Sequence, residues 1–99
     1  MKLVAVTACP TGIAHTYMAA EKLEKVAKKL GHTIKVETQG AMGIENELSQ
    51  ADVDAAEAAI IATDIALENE ERFSRIRKIH VPVQEALKDA EAIFAKLKV

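Results

Sequence analysis

Leu3-Val4-Ala5-Val6-Thr7-Ala8-Cys9-Pro10-Thr11-Gly12-Ile13-Ala14-His15-Thr16 decides how this chain folds. Residues 3–8 are apolar, include two valines and end in small side chains, which predicts a short buried strand. Residues 16–30 place Ala20, Leu23, Val26, Ala27 and Leu30 at helical spacing, which predicts an amphipathic helix. Pro10 and Gly12 mark an irregular connection between the two. Cys9, the only cysteine, therefore opens a strand-to-helix loop. Backbone amides and the helix N-terminus converge there and favour an anion. The same field favours the thiolate, which is the reactive form of cysteine. The duller alternative is a small buried thiol. The position of Cys9 beyond the strand, beside Pro10, favours the reactive one.

The remaining chain repeats the alternation. Gly31 is placed to end the first helix, behind Lys28 and Lys29. Thr33-Ile34-Lys35-Val36-Glu37-Thr38 alternates and is rich in branched residues, a second strand. Gln39-Gly40-Ala41-Met42-Gly43 reads as a loop, residues 44–48 as a short helical stretch, and residues 50–53 after Ser49 as a single turn. Ala58-Ala59-Ile60-Ile61-Ala62 is the apolar run of a strand covered on both faces. Asn69 is placed to cap a helix from Glu70, with Phe73 and Ile76 inward. Residues 78–81 read as a fourth strand. Pro82 then opens a last helix, on which Val83, Ala86, Leu87, Ala90, Ile93, Phe94 and Leu97 form one stripe. The expected architecture is α/β, a parallel sheet with helices on both faces and right-handed crossovers. Cys9, Gln39 with Gly40, and Thr63 with Asp64 all fall at carboxyl ends of strands, where such sheets place their sites.

Composition narrows the classes of function. Ninety-nine residues suffice for one core, so residues 1–99 read as a single domain. A net charge of −2 and 3% aromatics argue against nucleic-acid binding. No apolar run reaches the roughly 20 residues of a membrane helix, so no direct insertion is expected. Met1-Lys2 leads straight into the first strand, so no signal peptide is expected, and a lone cysteine suits the cytoplasm. Nothing in the sequence calls for a metal or another cofactor.

The spacing sharpens the chemistry. Cysteine-dependent phosphatases carry Cys-x5-Arg-Ser/Thr, in which the arginine grips phosphate through two hydrogen bonds. Here the pattern is Cys9-x5-His15-Thr16. A loop of that length, residues 10–16, can wrap a phosphoryl group with its amides and the hydroxyls of Thr11 and Thr16, yet lacks the clamp for hydrolysis. That combination suits a carrier. His15 either donates to the phosphoryl oxygens or biases Cys9 towards thiolate, or faces solvent from the first helical turn; it is also the only rival to Cys9 as phosphoryl acceptor, a weaker one because its helical position aims it less directly at the loop centre. His32 and His80 read as structural or solvated. Asp64 could be a general acid or base, but a turn former or helix cap is the plainer role. Gln39 and Gly40 could supply donors near the loop. Arg72, Arg75, Arg77 and Lys78 read as a solvated basic face, with docking of an acidic partner as the alternative.

With these residues in view, the chain resembles the fructose-type enzyme IIB domains of the bacterial phosphoenolpyruvate-dependent sugar phosphotransferase system. Ala8-Cys9-Pro10-Thr11-Gly12-Ile13-Ala14-His15-Thr16, Val36-Glu37-Thr38-Gln39-Gly40, Ala62-Thr63-Asp64-Ile65 and Glu45-Asn46-Glu47-Leu48 carry the resemblance. It implies a three-layer α/β/α sandwich whose four-stranded parallel sheet has the order 2-1-3-4. It implies that Cys9 takes a phosphoryl group from a phosphohistidine of enzyme IIA and gives it to a sugar, fructose by the subfamily, held by the membrane enzyme IIC. The protein would then work at the inner face of the membrane through IIC. The rival readings are a small cysteine phosphatase and a non-catalytic anion-binding module. A thioredoxin-like role lacks a second cysteine to resolve a mixed disulfide.

Overall fold

In a computed structural model that describes residues 2–8, 13–40, 43–64 and 70–97, the central element is strand β1 (Lys2–Ala8). It pairs in parallel with β2 (Thr33–Gly40) on one edge and with β4 (Ala58–Thr63) on the other. β5 (Arg77–Val81) continues the sheet in parallel beyond β4. Residues 3–8 of β1 and all of β4 are buried. Period-two alternation sends their side chains to opposite faces. Leu3, Ala5, Ile60 and Ala62 pack under helices α1 (Ile13–Lys29), α3 (Val83–Lys88) and α4 (Ala90–Lys96). Val4, Val6, Ala59 and Ile61 pack under α2 (Gln50–Ala55) and the 3-10 turn Glu70–Phe73, whose Phe73 is fully buried. This is α/β with helices on both faces of the sheet.

The topology differs in detail from the expected four strands. The sheet has five strands, in the order β3-β2-β1-β4-β5, because β3 (Gly43–Glu45) pairs antiparallel with the outer edge of β2. The sequence predicts a helical stretch over residues 44–48; no helix forms there. Residues 43–45 pair back onto β2, Gly40 with Gly43 and Thr38 with Glu45, so their backbone is taken up by the sheet. Gly43 (φ 94) and Asn46 (φ 53) both take left-handed backbone, and Asn46 ends the strand. So short an edge strand shields the flank of β2.

Helix boundaries shift too. α1 begins at Ile13 rather than residue 16, which places His15 and Thr16 in its first turn. It ends as expected at Gly31 (φ 81): the Gly31 N–H donates to Lys28 O at 3.2 Å and the His32 N–H to Ala27 O at 2.8 Å, the paired bonds of a Schellman cap. Residues 50–55 form a full helix, because Ser49 and Asp52 cap each other's backbone N–H groups. Asp52 also accepts from Lys35 Nζ at 2.8 Å, and these bonds hold its carboxyl down at about 2. The helix expected from Glu70 is a single 3-10 turn, and Asn69 lies outside the described residues. The last helix is two helices. Asp89 (φ −152, ψ 68) leaves helical geometry and its side chain accepts from Ala92 N–H, starting α4 anew. The expected stripe survives the break: Val83, Ala86, Ala90, Ile93, Phe94 and Leu97 are all buried.

A side chain added at Gly31 meets nothing within 4 Å, so any cost there is conformational. Gly31→Ala should lower the unfolding free energy by about 1 kcal/mol, and Gly31→Asn by less, as read from urea midpoints.

Candidate functional site at the carboxyl edge of the sheet

Every buried polar or charged side chain among the described residues sits towards one end of the sheet. Thr7, Thr38, Gln39 and Thr63 are within two positions of a strand's carboxyl end, Glu37 lies just behind, and Thr16 is in the first turn of α1. Buried polar groups cost free energy unless they are bonded or used. Their concentration at this edge marks it as the chemical end of the molecule.

Register brings the expected stretches together. Ala8, the last residue of β1, pairs with Gln39 on one side and Thr63 on the other. The Asp64 N–H donates to Ala8 O at 3.3 Å. Cys9 is thus the next residue along a strand flanked by Gln39-Gly40 and Thr63-Asp64. Cys9, Pro10, Thr11 and Gly12 themselves lie outside the described residues, as does the side chain of Ile13. α1 resumes at Ile13 and is tied back to β1, since Thr7 Oγ1 donates to Thr16 O at 3.0 Å. Its first turn contains no acidic residue, so nothing of its own offsets the positive end of the dipole. Ala14 and His15 are exposed. Thr16 is 1% exposed, and its Oγ1 has no hydrogen-bond partner among the described residues. A buried hydroxyl without a partner is rare and points to something bound in use.

Asp64 Oδ1 accepts the Val83 N–H at 3.2 Å, standing in for the cap that Pro82 cannot provide to α3. That gives Asp64 a structural task. Thr63 Oγ1 and His80 Nε2 lie 3.0 Å apart, so His80 is bonded at the same edge although exposed.

The basic cluster divides. Arg72 is not on a solvated face: its side chain is 10% exposed and Glu37 opposite it is 0% exposed. Nη1 donates to Glu37 Oε1 at 2.6 Å and to Leu48 O at 2.8 Å, and Nη2 to Glu37 Oε2 at 2.9 Å. The guanidinium also lies 4.9 Å over the ring of Phe73. The Leu48 N–H donates to Glu37 Oε1 at 2.8 Å, and Gln39 Nε2 to Oε2 at 2.6 Å. Burial alone would push the Glu37 carboxyl up. The bonds from Arg72, Gln39 and Leu48 outweigh it and hold the group below the usual glutamate range. Glu37 in turn pushes the Arg72 guanidinium up. Sequence reading missed this pair, since 35 residues separate its members. The one available signal was a glutamate inside a strand otherwise due for burial. Also missed was Tyr17, whose hydroxyl donates to Glu45 Oε1 and joins α1 to β3. Among the described residues, Tyr17 and its neighbour Met18, 52% exposed, are the large apolar side chains left on the surface.

Residues 4–96 match the family model described as PTS system, lactose/cellobiose specific IIB subunit. This chain belongs to the PTS IIB family. Within it the similarity runs to the fructose type. The PTS system fructose-like EIIB component 2 of Escherichia coli K12 is 50% identical over 97 residues, covering 98% of this chain and 92% of that protein. The 2-O-alpha-mannosyl-D-glycerate-specific EIIABC component of the same organism is 52% identical over 92 residues, which span 93% of this chain and 14% of that one. A crystal structure of a domain from the fructose-specific IIABC component of Borrelia burgdorferi superposes with a TM-score of 0.92 at 46% identity, covering 96% of this chain and 90% of that one. The chain is thus a fructose-type IIB component, a sugar phosphotransferase with a phosphoryl-transfer role in sugar transport.

Arg72→Leu leaves a buried carboxylate unpaired and should cost about 3–5 kcal/mol in urea unfolding, while replacing both Glu37 and Arg72 by leucine should recover most of that loss. Because the Glu37 carboxyl is depressed in the fold, the stability it contributes is present above the ordinary glutamate range and lost as pH falls below it.

Proposed function

We propose that Cys9 is the phosphoryl acceptor of this chain, taking the group from a phosphohistidine of an enzyme IIA and passing it to a sugar held by a membrane enzyme IIC. The thiolate sulfur attacks phosphorus as the P–N bond breaks. With its other ring nitrogen protonated, the donor histidine leaves as neutral imidazole. In the second step a sugar hydroxyl attacks phosphorus, the S–P bond breaks and the thiolate is regenerated, the hydroxyl proton passing to solvent or a neighbouring base. The first step exchanges one reactive phosphoryl bond for another and the second runs downhill to a stable phosphate ester, so positioning and stabilisation of the oxygens supply most of the catalysis.

The placement of the chain's single cysteine carries this reading. In sequence Cys9 follows the sheet's central strand and precedes a helix whose first turn has no acidic side chain and carries a buried threonine hydroxyl without a partner among the described residues. In this reading Thr16 Oγ1 and the backbone amides of residues 11–16 hold the phosphoryl oxygens, with Thr11 and His15 adding side-chain donors. Gln39, Gly40 and Asp64 support the junction from either side. The step needs no metal or other cofactor. Residues 1–99 act as one fructose-type IIB domain, with its four parallel strands in the order β2-β1-β4-β5, on the cytoplasmic side of the membrane. Among the described residues no helix is long and apolar enough to cross a membrane, which leaves sugar passage to IIC. Fructose or a related hexose derivative is the acceptor, in keeping with relatives of both kinds. The phosphatase reading would need a clamp where His15 stands, and Arg72 has both outer nitrogens committed to Glu37.

Intact-protein mass after incubation with phosphoenolpyruvate, enzyme I, HPr and a fructose-type IIA should show one phosphoryl group on the parent chain and none on Cys9→Ser, whose thermal midpoint stays close to the parent's. Phosphoryl uptake by Cys9→Ser at the parent rate would reject the assignment. Thr16→Val should separate stability from function. Removing an unsatisfied buried hydroxyl should raise the unfolding free energy by about 1 kcal/mol, while slowing phosphoryl uptake about 10–100-fold.

A further inference from the structure

Stability alone does not call for a carboxylate at position 37. It is fully buried, and the Leu48 N–H, both outer nitrogens of Arg72 and Gln39 Nε2 converge on its two oxygens at 2.6–2.9 Å. A buried ion pair of this kind is seldom more stabilising than apolar side chains of the same volume. Its neighbours on this face of the sheet are Val4, Val6, Ala59 and Ile61, so an apolar solution was at hand. The arrangement has a consequence for Gln39. An ionised carboxylate only accepts, so the amide must turn its nitrogen, not its oxygen, towards Glu37. That fixes the side chain of the residue paired with Ala8, one position before Cys9.

Charge explains the third member. A lone carboxylate here would repel any anion at the carboxyl edge. Arg72, paired at 2.6 Å, cancels that field while leaving the geometry intact.

We propose that Glu37, neutralised by Arg72, is a positioning residue for phosphoryl transfer. It acts through Gln39, whose oriented amide holds the Cys9 junction in the form that takes the phosphoryl group. The proposal rests on the carrier reading above.

The test is a double-mutant cycle on the second-order rate of phosphoryl uptake from phosphorylated IIA. Gln39→Met keeps length and removes the amide. Glu37→Gln removes the fixed acceptor. Each should slow uptake about tenfold, and the double variant should be no slower than the slower single one, because both act through one group. Should Glu37→Gln fail to fold, Glu37→Leu with Arg72→Leu removes the anchor without leaving a buried charge, and the same cycle is run with it. Gln39→Met should keep the parent's thermal midpoint within a few degrees, which separates positioning from loss of structure. A double variant slower by the product of the two single effects, or singles that match a parent chain that does accept phosphoryl, overturns the proposal and leaves the carrier reading standing. A parent chain that takes no phosphoryl group from fructose-type donors overturns both.

Discussion

Strand β1 is hydrogen-bonded along both edges and covered on both faces, and the rest of the molecule takes its place from that constraint. A strand so enclosed must use small and branched apolar side chains and can offer no polar chemistry along its length. Chemistry is possible only where the strand stops. The parallel partners are in register with it, so the carboxyl ends of β2 and β4 stop beside it. The result is one edge where Thr7, Thr38, Gln39 and Thr63 are buried together. Cys9 continues from that edge into the N-terminal turn of α1.

That edge is held by two different means. On the α1 side, the Thr7 hydroxyl grips the Thr16 carbonyl and fixes the helix start against the sheet. On the opposite face, the Arg72–Glu37–Gln39 chain links the 3-10 turn to β2 through charge-assisted bonds. The first arrangement leaves a buried hydroxyl unpartnered, Thr16 Oγ1; the second fills the accepting capacity of Glu37 with four donors. An unfilled hydroxyl is suited to a group that comes and goes, and a filled carboxylate to a wall that does not move. Beside them Tyr17 and Met18 stay exposed.

Much of this was legible in order along the chain. The apolar runs at residues 3–8 and 58–62 are long enough, and free enough of charge, to give themselves away as enclosed strands. Gly31 announces the end of α1 because left-handed backbone disfavours other residues. What escaped was short or non-local. β3 spans Gly43–Glu45, too few residues for any period to show. The break at Asp89 lies inside an unbroken apolar stripe, and only the side chain's own bond to Ala92 N–H reveals it. Arg72 looked like surface because its neighbours in sequence are charged.

Sequence by itself determined the alternation of strands and helices, the single cysteine at a strand-to-helix junction, and the family motifs around it. Those features are local, written in periodicity and residue type within a few positions. Only the tertiary structure decided that Glu37 would be buried and matched by Arg72, that Thr16 would keep an unpartnered hydroxyl, and that Asp64 would cap α3. Each of these depends on groups brought together across the sheet, and a hydrogen bond or a burial cost is set by what lies within about 3–4 Å in space, not by distance along the chain.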